Sequence, residues 1–444
     1  METPSFSVRG SPNLFYLSHL FEERFKRFNL LIDTGDMMEF ITGVYLFFIF
    51  VSLYSIFLVL LIYFRNRHNL YLENNTKFFY DISVVIPTFN KERCILETIN
   101  AIKNLDYPKD KIEIIVVDDG SKDRTAEICR EISGIRFLEK SYNSGKADTV
   151  NFGVKNSNGE IIAIIDADSY PDKDSFKKMI GYFDDPETGA VTASCFVRNT
   201  GKLIEKLQAI EYFLIAFGRK ILDFVDSVYV TPGSLSMFRK KVLNEIGGFD
   251  TKNITEDIEV AWNILKNKYK NRMCLSAKVY TDVPTNLKQW WRQRLRWNVG
   301  GFQTVHKYRK SFFRKSQKMF GLFIVPRFFI SHVLSITGFF VFVYLFGRKL
   351  IESGLYWTYS IQNGNTIFEV PSLLLIPSVF TFFILLLFCF TIIFTYVGLR
   401  TMNKVGLGFK AGFTVLFYLL FYLILYPLVL LHSLYLLIIG DIKW

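Results

Sequence analysis

No segment of the sequence reads as a disulfide framework. The five cysteines, Cys94, Cys129, Cys195, Cys274 and Cys389, are odd in number, and the nearest two lie 35 positions apart. The same spacing argues against a zinc site and suits a reducing, cytosolic setting for residues 65–318. Histidine is as sparse: His19, His68, His306, His332 and His432, none of them in a strand-end motif. A general base in a strand-end site must therefore be a carboxylate. Residues 65–287 also lack net charge, with 32 basic and 32 acidic residues. That balance argues against nucleic acid as a partner.

Acid is missing altogether from 288–318, where ten basic residues stand: Lys288, Arg292, Arg294, Arg296, Lys307, Arg309, Lys310, Arg314, Lys315 and Lys318. Ten of the twelve excess positive charges of the 444-residue chain thus sit in one stretch. Charge of either sign is missing from four runs, 40–64, 328–347, 370–399 and 411–440. Roughly 20 apolar residues cross a bilayer, and each run is long enough. With half the chain hydrophobic, disorder is excluded. The first run begins only at residue 40, so no cleavable signal peptide is expected.

The predicted layout is an N-terminal arm over 1–37 with an interfacial helix at 13–31, then a transmembrane helix over 38–64. A cytosolic domain over 78–287 and a basic interfacial segment over 288–319 follow. Further spans are expected over 320–347, 371–399 and 411–440. Orientation comes from Lys and Arg in short flanks. Arg65 and Arg67 follow the first span, and Arg400, Lys404 and Lys410 lie between the last two, so both flanks face the cytosol. The balanced loop 348–369 suits the outside. The chain is thus expected in the cell membrane as a multi-pass protein with both termini outside.

Between the first two spans, β-branched runs alternate with helical spacing. Strands are predicted at 82–87, 113–118, 135–139 and 161–166, and helices at 91–104, 123–132, 146–155 and 173–183. This predicts an α/β domain with a mostly parallel sheet covered on both faces. Ligands in such domains sit beyond the carboxyl ends of the strands. Three strand ends carry chemistry there: Pro87-Thr88-Phe89-Asn90, Asp118-Asp119-Gly120-Ser121 and Asp166-Ala167-Asp168. Acids at i and i+2 can present oxygens to one hard cation, or simply close a turn before a helix. Asn143-Ser144-Gly145-Lys146 lacks the second glycine of a P-loop, so nucleotide hydrolysis is rejected. Thr255-Glu256-Asp257 opens a helix, either with Thr255 as its cap and two acids on the positive helix end, or as a general base. Gln289 to Trp297 interleaves Trp, Gln and Arg, a set that suits phosphate and sugar faces, or anionic lipid.

In order, Val84-Val85-Ile86-Pro87-Thr88-Phe89-Asn90-Lys91-Glu92, Asp118-Asp119-Gly120-Ser121, Gly145-Lys146-Ala147, Asp166-Ala167-Asp168, Gly247-Gly248-Phe249-Asp250, Thr255-Glu256-Asp257 and Gln293-Arg294-Leu295-Arg296-Trp297 resemble the processive family 2 glycosyltransferases. The match covers about 82–301. Trp297-Asn298-Val299-Gly300-Gly301 looks most like the poly-β-1,6-N-acetylglucosamine synthases, which are related to chitin-oligosaccharide, hyaluronan and cellulose synthases. The resemblance implies a GT-A fold, a UDP-sugar donor such as UDP-N-acetylglucosamine, Mg²⁺ or Mn²⁺, and inverting transfer to a growing β-linked glycan. Carried over by position, Thr88 and Glu92 border the uridine, Asp118 and Asp166 hold the nucleotide, and Lys146 lies beside it. Asp168 binds the metal and Asp257 is the base. Glu256, Gln293, Arg296 and Trp297 complete the substrate-binding set. A single-sugar transferase to a polyisoprenyl phosphate shares the first motifs but usually lacks the Gln-x-x-Arg-Trp segment. Four spans are a lean set for a polymer channel, which leaves room for an accessory membrane subunit or an oligomer. No long C-terminal cyclic-dinucleotide barrel is expected after the last span.

Overall fold

The computed structural model describes residues 35–73, 76, 78–362, 379–403 and 409–440. The interfacial helix expected over 13–31, the end of the outer loop expected over 348–369, the first residues of the span expected over 371–399 and Lys404 lie outside them. The chain divides into two units, 1–57 with 334–391, and 58–333 with 392–444.

The second unit is built on one eight-stranded sheet. Its strands are β1 (Ile82–Thr88), β2 (Ile112–Asp118), β3 (Arg136–Glu139), β4 (Ile161–Ile164), β5 (Ser169–Pro171), β6 (Thr188–Val197), β7 (Ser236–Arg239) and β8 (Lys270–Thr281), in the order β3-β2-β1-β4-β7-β6-β8-β5. All seven residues of β1 are buried, as a strand covered on both faces requires. Two apolar layers line the two faces. One contains Val84, Ile86, Ile99 and Phe176, the other Val85, Val117, Val150 and Val260. The four strands expected from sequence are parallel neighbours. Beyond β4 the sheet becomes mixed, because β7 runs antiparallel to both β4 and β6, and β5 to β8. The chain enters this half at β5 and β6, and the 21-residue helix Leu203–Asp223 then leads from β6 to β7, so tight strand–helix alternation ends there.

Pro87 shows how the sheet opens into a site. A proline inside a central strand loses a ladder hydrogen bond. Pairing between β1 and β4 stops at Val85 and Ile164, so by Pro87 that flank is already open. The cleft starts at this fork.

Helices α1 (Gly35–Asn66), α2 (Ile95–Lys103), α3 (Thr125–Glu131), α4 (Lys146–Lys155), α5 (Ser175–Ile180), α6 (Leu203–Asp223), α7 (Lys240–Ile246), α8 (Glu256–Lys266) and α9 (Leu287–Lys307) precede the long apolar helices α10 (Val325–Gln362), α11 (Val379–Asn403) and α12 (Phe409–Ile439). Among the described residues four stretches are long and apolar enough to cross a membrane: Thr42–Asn69, Phe320–Gly354, Leu385–Met402 and Gly412–Ile439. Residues 348–362, read from sequence as loop, are helical. An Arg348–Glu352 pair at 2.7 Å carries α10 through its charged turn. Within the second unit, α9 packs against α12 through Trp290, whose ring meets those of Phe421 and Tyr422 at 5.3 and 5.7 Å.

Candidate active site

The cleft measures about 340 Å³ and is lined by Pro87, Thr88 and Phe89 from the end of β1, by Lys91, by Asn143, Gly145, Lys146 and Thr149 around the start of α4, by Asp119, and by Asp166, Ala167 and Asp168 after β4. Thr88 is buried, and its hydroxyl finds no partner among the described residues. Such a buried, unbonded hydroxyl calls for a partner that the described residues do not supply.

Asp118 and Asp119 part company at the end of β2, as alternation along a strand requires. Asp118 turns inward and accepts from the Ser121 N–H at 2.9 Å and from the Ser121 hydroxyl, closing its own turn. Asp119 faces the cleft. It accepts from the Ser144 and Gly145 N–H groups at 3.0 and 2.9 Å and from Lys140 Nζ at 2.9 Å. Burial works against its charge, but these hydrogen bonds outweigh it and hold its acidity below the usual carboxylate range.

Lys146 is the hub. Its ammonium lies 2.6 Å from Asp166 and 3.0 Å from Glu256. Burial disfavours its charge, yet Asp166 and Glu256 prevail and keep it protonated. Such close approach needs Gly233, where a Cβ would stand 2.5 Å from Lys146 Nζ and 2.8 Å from Asp166. Asp168 accepts from Lys91 Nζ at 2.5 Å.

Asp257 starts α8 next to Glu256. Withdrawal from water, then Glu256, raises its pKa to about 6, while Lys146 and Arg296 pull it back. Thr231 holds the Asp257 carbonyl through its N–H at 3.2 Å and its hydroxyl at 3.0 Å. Thr255 occupies the cap position, but its side chain does not cap the helix. It donates instead to Asn253 at 3.3 Å, and Gly300 of α9 presses against it where a Cβ would stand 2.0 Å from its hydroxyl.

Thr88, Lys146, Asp166 and Asp168 line the cleft, and Glu256, Asp257 and Arg296 join them through Lys146 and the field at Asp257. The others lie apart from the cleft wall. Glu92 accepts from the Arg124 N–H at 3.1 Å and ties two loops together. Gln293 accepts from Arg294 at 2.6 Å, and the Trp297 ring lies 4.1 Å from the Arg294 guanidinium. Arg294 itself is fully buried and pairs with Glu211 of α6, which also accepts from Tyr422 of α12.

Several of these residues carried no assigned role in the sequence reading. Lys91 sat inside the first motif, and Asp119 was the second acid of a pair whose strand alternation points the two apart. Gly233 was signalled only by a Pro-Gly turn. Glu211 and Tyr422 left no local signal, since their partnership with Arg294 is made across three helices.

The architecture is GT-A-like, with the cleft at the carboxyl ends of the parallel strands. Residues 83–247 match Glycosyl transferase family 2. The chain is 34% identical over 278 residues to the probable glycosyltransferase YdaM of Bacillus subtilis, covering 60% of this chain and 65% of that protein. It is 31% identical over 297 residues to the poly-beta-1,6-N-acetyl-D-glucosamine synthase of Staphylococcus aureus strain COL, covering 65% of this chain and 71% of the synthase. In three dimensions it resembles a mannosyltransferase from Pyrobaculum calidifontis, solved with GDP-Man and Mn²⁺, with a TM-score of 0.53 and 18% identity over 81% of this chain and 99% of that one. This last likeness is one of fold. The chain belongs to glycosyl transferase family 2. It spans just under two thirds of YdaM, at 65% of that protein's length.

Whether these residues suit a divalent ion follows from their chemistry. Among the described residues no three His, Cys, Asp or Glu side chains gather as a complete metal cage. Mg²⁺ and Mn²⁺ sites in phosphate chemistry use one or two carboxylates plus substrate oxygens. The Asp168 carboxylate, 33% exposed in the cleft and already 2.5 Å from an ammonium, fits that requirement.

Proposed function

We propose that the protein is a multi-pass membrane glycosyltransferase, its catalytic domain cytosolic, that extends a β-linked polysaccharide from a UDP-sugar, UDP-N-acetylglucosamine in the first instance, with inversion. The observation that carries this reading is the Lys146 bridge. One ammonium joins the cleft acid Asp166 to Glu256, the immediate neighbour of Asp257, so donor cleft and base form one site. Family membership and the likeness to poly-N-acetylglucosamine synthases support the choice of sugar.

In this reading the donor nucleotide lies against Thr88 and Phe89, with its diphosphate near Lys146. Thr88 offers its unbonded hydroxyl. Asp168, with Asp166 beside it, holds the divalent ion, which when bound offsets charge on the leaving diphosphate. Asp257 takes the proton of the attacking acceptor hydroxyl, and its pKa of about 6 leaves it ionised at neutral pH while keeping it a competent base. Arg296 keeps positive charge near that step. Inversion needs a single displacement, so no second carboxylate nucleophile is required.

Membranes incubated with a panel of UDP-sugars and Mg²⁺ or Mn²⁺ test the reading through UDP release and product size. UDP release from UDP-N-acetylglucosamine with a ladder of oligomers is expected. A single glycolipid product overturns chain elongation, and release from a different sugar overturns the donor assignment.

A further inference from the structure

Two lysines enter the cleft, and each takes one acid of Asp166-Ala167-Asp168. Lys146 pairs with Asp166 and also with Glu256, so it belongs to the framework of the site. Lys91 pairs only with Asp168 among the described ion pairs, at 2.5 Å, with the two side chains 37% and 33% exposed. Its backbone is fixed: the N–H donates to the Thr125 hydroxyl at 2.7 Å, and the carbonyl accepts from the Cys94 and Ile95 N–H groups at 3.1 Å each. The side chain is therefore a tethered cation, anchored at its base and about a third exposed.

We propose that Lys91 is a built-in counter-cation of Asp168, which keeps a free divalent ion off that carboxylate and releases it when a nucleotide diphosphate enters the cleft. The inference rests on the donor-cleft reading above. The two cations compete for one oxygen, and a unit positive charge a few ångströms away lowers affinity for a second cation, less so in a partly exposed site. A diphosphate reverses the balance. It supplies anionic oxygens for the divalent ion, which needs substrate oxygens beyond Asp168, and others to which the displaced ammonium can turn. Both lysines line the same cleft, so Lys91 has only to swing about its stem. Metal and nucleotide would then load together, and Lys91 would make the cleft selective for the nucleotide-bound ion over the free one.

The test uses the purified full chain and Mn²⁺ as the probe, with binding followed by electron paramagnetic resonance of the free ion, without and with UDP. In Lys91→Met, Mn²⁺ alone should bind about fivefold more tightly, because the repelling charge is gone. UDP at saturating Mn²⁺ should bind about tenfold more weakly, because its second cation is gone. Lys91→Arg, which keeps the charge, should resemble the unsubstituted protein in both measurements. Mn²⁺ affinity that is unchanged or weaker in Lys91→Met, with UDP-dependent Mn²⁺ binding intact in the unsubstituted protein, overturns the role of Lys91 alone. Absence of UDP-dependent Mn²⁺ binding in the unsubstituted protein overturns the metal-dependent reading, and this inference with it.

Discussion

At the scale of single residues, Asp257 carries the sharpest consequence. A base must be ionised to act, and burial together with Glu256 raises its pKa to about 6. The rate at low donor and acceptor concentration should therefore fall as pH drops through about 6 and level off above about 7, as a pH profile of UDP release will show. Asp257→Asn should lose transfer by at least a thousandfold and keep UDP binding; substantial turnover in that variant rules Asp257 out as the base. Gly233 makes a second prediction. A Cβ there would meet Lys146 Nζ at 2.5 Å and Asp166 at 2.8 Å, so Gly233→Ala should push the pair apart. Donor affinity should drop about tenfold, with the melting temperature little changed, because the crowded atoms are a side-chain tip and a cleft acid rather than core. These two residues also mark what a sequence can disclose. The place of Asp257 at a helix start was legible from its motif, since acids after a cap position are a local pattern. Gly233 was not, because its reason lies in the side chains of residues 146 and 166, which folding brings over it.

At the scale of elements, the helix that carries Gln293, Arg296 and Trp297 is held by contacts its own sequence does not display. The motif suggested a row of substrate-facing groups. Arg294, in the middle of it, instead turns into the protein and is buried against Glu211 of α6 and over Trp297. Burial works against its charge, and Glu211 outweighs the penalty. Removing one partner of such a pair leaves the other uncompensated, at a cost of about 3–5 kcal/mol. Arg294→Met should thus lower the melting temperature markedly in detergent, whereas the double substitution with Glu211→Gln should recover part of the loss. Gly300, two turns on, sets the other contact of the helix. With a Cβ 2.0 Å from the Thr255 hydroxyl, Gly300→Ala must displace either α9 or the Thr255-Glu256-Asp257 turn. Transfer should fall more than a hundredfold while UDP binding, which in the proposed reading also draws on Thr88, Phe89 and Asp168 outside that turn, falls by much less; the split between the two measurements decides the matter. The same reasoning explains which elements were readable. The first four strands and their helices follow hydrophobic period and turn signals, and they stand where the pattern put them. The antiparallel half depends on pairing between strands distant in sequence, such as β4 with β7, which local periodicity does not encode, and α10 runs on through its Arg348–Glu352 turn to Gln362.

At the scale of the whole molecule, the distribution of charge governs how the chain sits in a bilayer. The excess of basic residues lies in 288–318, immediately before the apolar stretch Phe320–Gly354. Part of it is spent inside the protein: Arg294 on Glu211, and Lys307 on Asp250 and Glu259 at 2.7 and 2.5 Å. The remaining cluster, Arg309, Lys310, Arg314, Lys315 and Lys318, has no acidic neighbour in the segment and flanks the span on one side. Short basic flanks stay on the cytosolic side of a membrane, where anionic lipids also favour them by about 1 kcal/mol per charge. In a cysteine-free background, Lys315→Cys should therefore react with a membrane-impermeant maleimide only after the cells are opened. Gly354→Cys, at the far end of the same apolar stretch, should react in intact cells. Substituting Arg309, Lys310, Arg314 and Lys315 by Gln should blur this difference, because the flank would lose the charge that fixes its side. Labelling of Lys315→Cys in intact cells would place the basic flank outside, and with it the catalytic domain that precedes it in the chain, where no nucleotide-sugar donor is supplied; the charge count and the chemistry of the cleft stand or fall together on that one measurement.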